Sequence, residues 1–265
     1  MKLIDSHAHL DFSEFHPDLA AVLERARVAG VEKIINIGAD LDRSQTGITI
    51  AENYENIWAT VGVHPDEASH IDLETVHNEL MELAKSSDKV VGIGECGLDY
   101  YRTTDKAEMS AQKRLFEIHI DVAKHLNLPL VIHIRNGEDE LATEEAYEIL
   151  KKVGYNKGVI HCFSLNSEWA KLFTELGFYL GFTGIITYKN AETIRESVQN
   201  TDLGRIIVET DCPFLASQNH RGERNEPAFV AEVANKIAEI KGLSLEKVAD
   251  SVTMNTEKLF QIQNK

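Results

Sequence analysis

Short runs of aliphatic and β-branched residues recur along the chain, separated by longer stretches in which apolar positions return every three or four residues. Eight such runs read as strands: Lys2–Ser6, Lys33–Ile37, Ile57–Gly62, Val90–Gly94, Leu130–Ile134, Gly158–Cys162, Phe178–Phe182 and Arg205–Glu209. Their near-continuous Val, Ile and Leu content, without strict alternation, suits parallel strands covered on both faces. The intervening stretches predict helices. Pro17 can open the first and Gly30 close it, with Leu19, Val22, Leu23 and Ala26 on one face. Glu108 to Leu126 repeats the pattern through Leu115, Ile118, Val122 and Leu126, and Asp139 to Val153 and Ser167 to Leu176 are acid-rich amphipathic segments. Beyond the last strand, Pro227–Ile240 and Leu245–Ile262 read as helices, with Ser244 placed to cap the second.

Alternation of this kind, carried through eight strands, predicts a (β/α)₈ TIM barrel, with residues 1–265 forming a single domain. The length agrees, because such barrels run to about 250 residues. A doubly wound open sheet is the alternative. It would normally bring a glycine-rich phosphate loop after the first strand, where this chain has His7-Ala8-His9.

Composition narrows the class. With 43% hydrophobic and 26% charged residues the chain resembles a soluble globular protein. No apolar run approaches the roughly 20 residues that a bilayer requires. The N-terminus meets Lys2, Asp5 and His7 before a signal-peptide core could form, so the expectation is a mature chain beginning near Met1, cytoplasmic, without membrane association. Three cysteines and no CxxC pair argue against a disulfide framework or a structural zinc knuckle. Cys96, Cys162 and Cys212 each follow a candidate ligand, so strand alternation turns their thiols outward as small buried apolar groups. The net charge of −16, from 43 acids against 27 bases, leaves no basic stripe for a long duplex. A polyanion could still be handled by bound cations and a few local bases.

The candidate chemistry lies where barrels build their sites, at the C-terminal ends of strands. His7 and His9 are two residues apart, so on an extended strand both imidazoles leave one face and supply half of a metal site. Glu95, His133, His161 and Asp211 fall at or just past the ends of other strands. Six such donors exceed the needs of one four-coordinate ion, and a carboxylate such as Glu95 can bridge two ions about 3.5–4 Å apart. Separately satisfied buried histidines are the competing reading for any one residue, but not for the set.

These residues sit in segments that together resemble the TatD-type metal-dependent deoxyribonucleases of the amidohydrolase-like barrels. The segments are Asp5-Ser6-His7-Ala8-His9-Leu10-Asp11, Gly62-Val63-His64-Pro65, Gly94-Glu95-Cys96-Gly97-Leu98-Asp99-Tyr100, Ile132-His133-Ile134-Arg135, His161-Cys162-Phe163-Ser164, Glu209-Thr210-Asp211-Cys212-Pro213 and Arg224-Asn225-Glu226-Pro227. The resemblance implies hydrolysis of DNA phosphodiesters, commonly from a 3′ end, by a metal-activated water. It also implies that His7, His9, Glu95 and Asp211 hold one divalent ion and Glu95, His133 and His161 a second. Asp66, Asn136 and Leu165 depart from the family pattern at positions that bear on substrate preference.

Roles follow from chemistry. Asp211 is expected to serve as ligand and proton acceptor. His64 is expected to contact a phosphate or leaving group, with a structural loop histidine as the alternative. Arg135 shares a face with His133 and could clamp a phosphate, or pair with Glu209. Glu209 is expected to orient a neighbouring ligand. Tyr100 or Tyr101 could stack on a base. His220, Arg221 and Arg224 could supply positive charge near the site or simply solvate an acidic surface. His16, His70, His77, His119 and His125 have no partner in the pattern and are expected at the surface or in caps. The metals could be magnesium, manganese, zinc or nickel, the partner DNA as single strands or 3′ ends, and the chain a monomer. Related barrels hydrolyse aminoacyl-tRNA esters or cyclic amides, the latter often with a carbamylated lysine from the fourth strand. In this chain that strand ends in Glu95 and places Lys89 at its opposite end.

Overall fold

A computed structural model describes residues 2–262. Eight parallel strands follow one another in chain order around the sheet: β1 Leu3–Ala8, β2 Val31–Asn36, β3 Ile57–Val61, β4 Val90–Asp99, β5 Leu130–Arg135, β6 Gly158–Ile160, β7 Tyr179–Phe182 and β8 Ile206–Val208. The first and last strands meet through a parallel bridge between Ala8 and Cys212, with the amides of His9 and Asp211 donating to Cys212 and His7 carbonyls at 2.9 and 2.8 Å. Asp5 adds to this closure by accepting from the Thr210 amide at 2.9 Å and its hydroxyl at 2.6 Å. The barrel is nearly closed.

Nine helices lie outside it among the described residues: α1 Leu19–Val28, α2 Leu41–Asn53, α3 Val76–Lys85, α4 Lys106–Leu126, α5 Leu141–Val153, α6 Ser167–Leu176, α7 Glu192–Asn200, α8 Val230–Lys241 and α9 Leu245–Phe260. Their starts show the expected capping chemistry. Asp105 accepts from the Ala107 amide at 2.7 Å at the head of α4, and Ser244 accepts from the Lys247 amide at 3.3 Å at the head of α9. Three helices were not expected from periodicity. In α2, Gly47 and the β-branched Thr46, Ile48, Thr49 and Ile50 weaken the helical signal. Helix α3 begins nine residues after the short 3₁₀ turn Pro65–Glu67, and α7 buries only Ser197 and Val198. None of these helices is long and apolar enough to cross a membrane.

The lower interior of the barrel takes one residue from every strand: Ile4, Ile35, Trp58, Val91, Val131, Val159, Tyr179 and Ile207. Leu259, Phe260 and Ile262 pack against these and seal that end. A far larger cluster fills the space between strands and helices. The apolar floor leaves the opposite end, where the strands finish, as the place where polar side chains can converge.

Two irregularities aim side chains into that end. Strand β1 carries one more residue than β2 between Asp5 and Ala8, and β4 one more than β5 between Ile93 and Cys96. Such bulges bend a strand and re-aim its side chains. One lies beside His7 and the other at Glu95. β4 also holds tightly against β5 because Gly97, at φ +136°, has no Cβ. An added methyl would lie 2.0 Å from the His133 carbonyl oxygen.

Candidate metal centre

All six expected donors meet at this mouth. His7 Nε2 and His9 Nε2 lie 3.2 Å apart. The Asp211 Oδ1 is 3.4 and 3.5 Å from them, and the Glu95 Oε2 is 3.8 and 3.6 Å away. The other Glu95 oxygen, Oε1, faces a different pair: His133 Nδ1 at 2.9 Å and His161 Nε2 at 3.0 Å, themselves 3.3 Å apart. Donors sharing an ion about 2.0–2.2 Å away stand about 3.0–3.6 Å from one another at a tetrahedral or octahedral edge. Most of the observed separations fall within that range.

The hydrogen bonds behind these groups leave lone pairs pointing inward. His9 Nδ1 lies 3.0 Å from the Ile37 carbonyl, an acceptor, so it carries a proton and Nε2 is the nitrogen turned to the mouth. His133 is turned the other way: its Nε2 is 3.1 Å from Asp99 Oδ2, which leaves Nδ1 towards Glu95. His161 Nδ1 lies 3.3 Å from Glu209 Oε1, close enough for an ion pair but without hydrogen-bond geometry. Carboxylate or carbonyl partners of this type fix the tautomer and orientation of metal-binding histidines. Buried imidazole lone pairs facing each other and two carboxylates form a donor set that a divalent cation fits and that water-free neutral groups would not satisfy.

Electrostatics agree. Burial alone would raise the Glu95 carboxyl, but His161, His64 and His133 outweigh it and hold it well below the usual carboxylate range. Burial works against protonated His161, yet Glu95 and Glu209 raise it well above its ordinary value. His7, buried and beside His161, is driven well below. The centre is thus anionic at Glu95 and mixed at its imidazoles, so an arriving cation displaces protons.

Glu209, expected from the sequence to orient a neighbouring ligand, lies beside His161. It also accepts the Cys162 amide at 2.6 Å, and its carboxylate lies over Gly181, where an added Cβ would come within 2.5 Å of Oε2. The fourth predicted strand stops at Gly94, short of Asp99. Asp99 is fully buried at the end of β4 and holds His133. His64 accepts the Asp66 amide on Nδ1 at 3.2 Å, so Nε2–H is free to donate towards the mouth, 3.7 Å from Glu95 Oε1. Burial pushes its pKa down to about 3, which keeps it neutral.

Several expectations change. His119 is not a surface or cap residue. It is fully buried, accepts the Val63 amide on Nε2 at 3.0 Å and faces the Leu115 carbonyl with Nδ1 at 2.8 Å, bracing the strand end that leads into His64. Cys96 and Cys212 are buried as expected, but Cys162 lines the mouth. Its backbone turns left-handed at φ +46°, which ends the strand alternation at Ile160. Tyr100 is buried with its hydroxyl 2.5 Å from Glu145, so it is no base-stacking group. Tyr101 remains exposed at 64%.

The mouth is a cavity of about 610 Å³. Its positive charge comes from Arg43, Arg102 and Arg135. The loop residues expected to supply it are engaged elsewhere: Arg224 binds Asp18 and Glu226, His220 binds Glu223 and Glu232, and Arg221 lies over Tyr188. Arg135 stacks 3.9 Å above Tyr101 instead of pairing with Glu209, and Arg43 stacks 3.9 Å above Phe12. Arg43 and Arg102 gave no sequence signal, because a helix start after one strand and a loop after another bring them together. No lysine lines the cavity among the described residues. Lys89 donates to the Tyr54, Glu55 and Ile57 carbonyls beneath the barrel.

A (β/α)₈ barrel with a histidine–carboxylate centre at the C-terminal ends of its strands defines the class: a metallo-dependent hydrolase barrel. Within that class, the chain belongs to the family of TatD related DNases, which it matches over residues 4–261. It is 39% identical over 262 residues to the uncharacterized metal-dependent hydrolase YabD of Bacillus subtilis, covering 98% of this chain and 99% of that protein. It is 36% identical over 266 residues to the uncharacterized metal-dependent hydrolase YcfH of Escherichia coli, covering 99% and 97%. The crystal structure of YJJV, a TatD homologue from Escherichia coli, matches with a TM-score of 0.90 at 30% identity, covering 98% of each chain.

Proposed function

We propose that this chain is a two-ion hydrolase that shortens DNA from its 3′ end. His7, His9, Asp211 and Glu95 Oε2 would hold one divalent ion, and His133, His161 and Glu95 Oε1 the other. The observation that carries the reading is the division of Glu95, each oxygen facing its own pair of histidines beneath an arginine-lined mouth. When bound, the ion pair lowers the pKa of water and offsets charge on phosphoryl oxygens.

The chain's own groups supply the rest. Asp211, 13% exposed at its side chain, is placed to accept a proton at the mouth. The neutral His64 donates from Nε2 to a phosphoryl or leaving oxygen. Arg135 offers its planar donors to a neighbouring phosphate. Tyr101 and Phe214, 64% and 46% exposed, give rim surfaces on which a terminal base could stack. A mouth furnished with arginines and exposed rings suits a nucleotide chain end better than a small cyclic amide.

The test incubates metal-loaded protein with a 3′-labelled oligonucleotide, a mischarged tRNA and a panel of cyclic amides. Stepwise shortening of the oligonucleotide is expected, abolished by chelator and by Glu95→Ala or Asp211→Ala. An intact oligonucleotide beside a consumed ester or amide contradicts the proposal.

A further inference from the structure

A second cluster of histidine and carboxylate side chains lies on the outer wall of the barrel. His77 near the start of α3 and Asp121 and His125 near the end of α4 converge although the two helices are separate in sequence. His77 Nε2 stands 3.0 Å from Asp121 Oδ2, and His125 Nδ1 stands 3.3 Å from the same oxygen. The two imidazole rings are 6.1 Å apart and nearly perpendicular, at 87°. Asp121 and His125 are four residues apart on one helix, so they share a face by construction. α4 begins just past the end of β4, and Asp121 lies fifteen residues along it, about 22 Å from its start at 1.5 Å per residue. The cluster is therefore remote from the mouth and has no part in the hydrolytic centre.

We propose that His77, Asp121 and His125 form a peripheral site for a divalent transition-metal ion such as zinc. Two imidazoles and one carboxylate are the ligand mixture that borderline ions prefer over magnesium or calcium. The 3.0 and 3.3 Å separations match the edges of a coordination shell with donors about 2.0–2.2 Å from the ion. Side-chain exposures of 33%, 52% and 59% leave room for water to complete that shell. In the ion-free arrangement His125 Nδ1 also lies 2.9 Å from the Asp121 carbonyl, an acceptor. Binding through that nitrogen exchanges the carbonyl for the ion and moves the imidazole proton to Nε2.

The test is calorimetric titration of zinc chloride into the intact protein, its central cluster already loaded with metal. The wild type is expected to bind one zinc per chain more than His77→Ala or His125→Ala, with Asp121→Asn weakened at least tenfold. The extra uptake is expected to persist in Glu95→Ala, which separates this site from the hydrolytic centre. Thermal melting without zinc checks that the surface variants remain folded. Equal stoichiometry and affinity in wild type and both histidine variants overturns the proposal, as does a loss confined to Asp121→Asn.

Discussion

Buried His119 should make the protein acid-sensitive by an amount that one substitution removes. Burial pushes its pKa from the ordinary 6.5 down to about 4, against a hydrogen bond to the Leu115 carbonyl that acts in the opposite direction. Between these values the folded state keeps His119 neutral while the unfolded chain takes up a proton. Protons therefore favour unfolding across this window, and stability falls as pH drops from 6.5 to 4. Below 4 both states are protonated and the loss stops growing. The displacement corresponds to about 3 kcal/mol at 1.36 kcal/mol per pH unit. Urea unfolding of wild type and His119→Gln, followed from pH 7.5 to 4, measures the term as a difference. Loss of metal and titration of the central histidines are common to both proteins and cancel. The wild type should lose about 3 kcal/mol more than the variant over that span. At pH 7.5, His119→Leu should cost about 1–3 kcal/mol by leaving the Val63 amide buried without its acceptor. Identical pH slopes for wild type and His119→Gln would refute the assignment of a neutral buried imidazole.

Other substitutions probe the centre. Glu95→Gln preserves shape but removes the charge shared between two donor pairs, so turnover should fall about 10³-fold or more and the metal-induced rise in melting temperature should shrink. Gly181→Ala puts a methyl against the Glu209 carboxylate. Displacing that support from His161 should weaken metal affinity about 10–100-fold, measured by competition with a chromophoric chelator. Asp99→Ala should do the same through His133, whereas Asp99→Asn, which keeps a hydrogen-bonding group, should lose less.

The barrel was legible because each buried strand announces itself in a short apolar run and each strong helix in its periodicity. Even so, β1 and β4 run further than their apolar content, to Ala8 and Asp99, because polar residues there continue the strand into the mouth. The six donors could be found because each follows or closes a short apolar run, and the C-terminal ends of such runs meet in a barrel whatever lies between them. What gathers around them is set by three-dimensional closure. Asp99 looked like a loop residue, and its support of His133 depends on the pairing of Asp99 with Arg135 across β4 and β5. The bulges beside His7 and Glu95 are invisible in composition. Arg43 reaches the mouth from the first turn of α2, a helix whose glycine and β-branched residues concealed it. The buried role of His119 was missed because its acceptor lone pair serves an amide fifty-six residues away.

Anomalous diffraction from crystals equilibrated with zinc tests the central claim most directly. Two peaks should flank Glu95, one within bonding distance of His7, His9 and Asp211 and the other of His133 and His161. A map with no peak within coordinating distance of either Glu95 oxygen would contradict it.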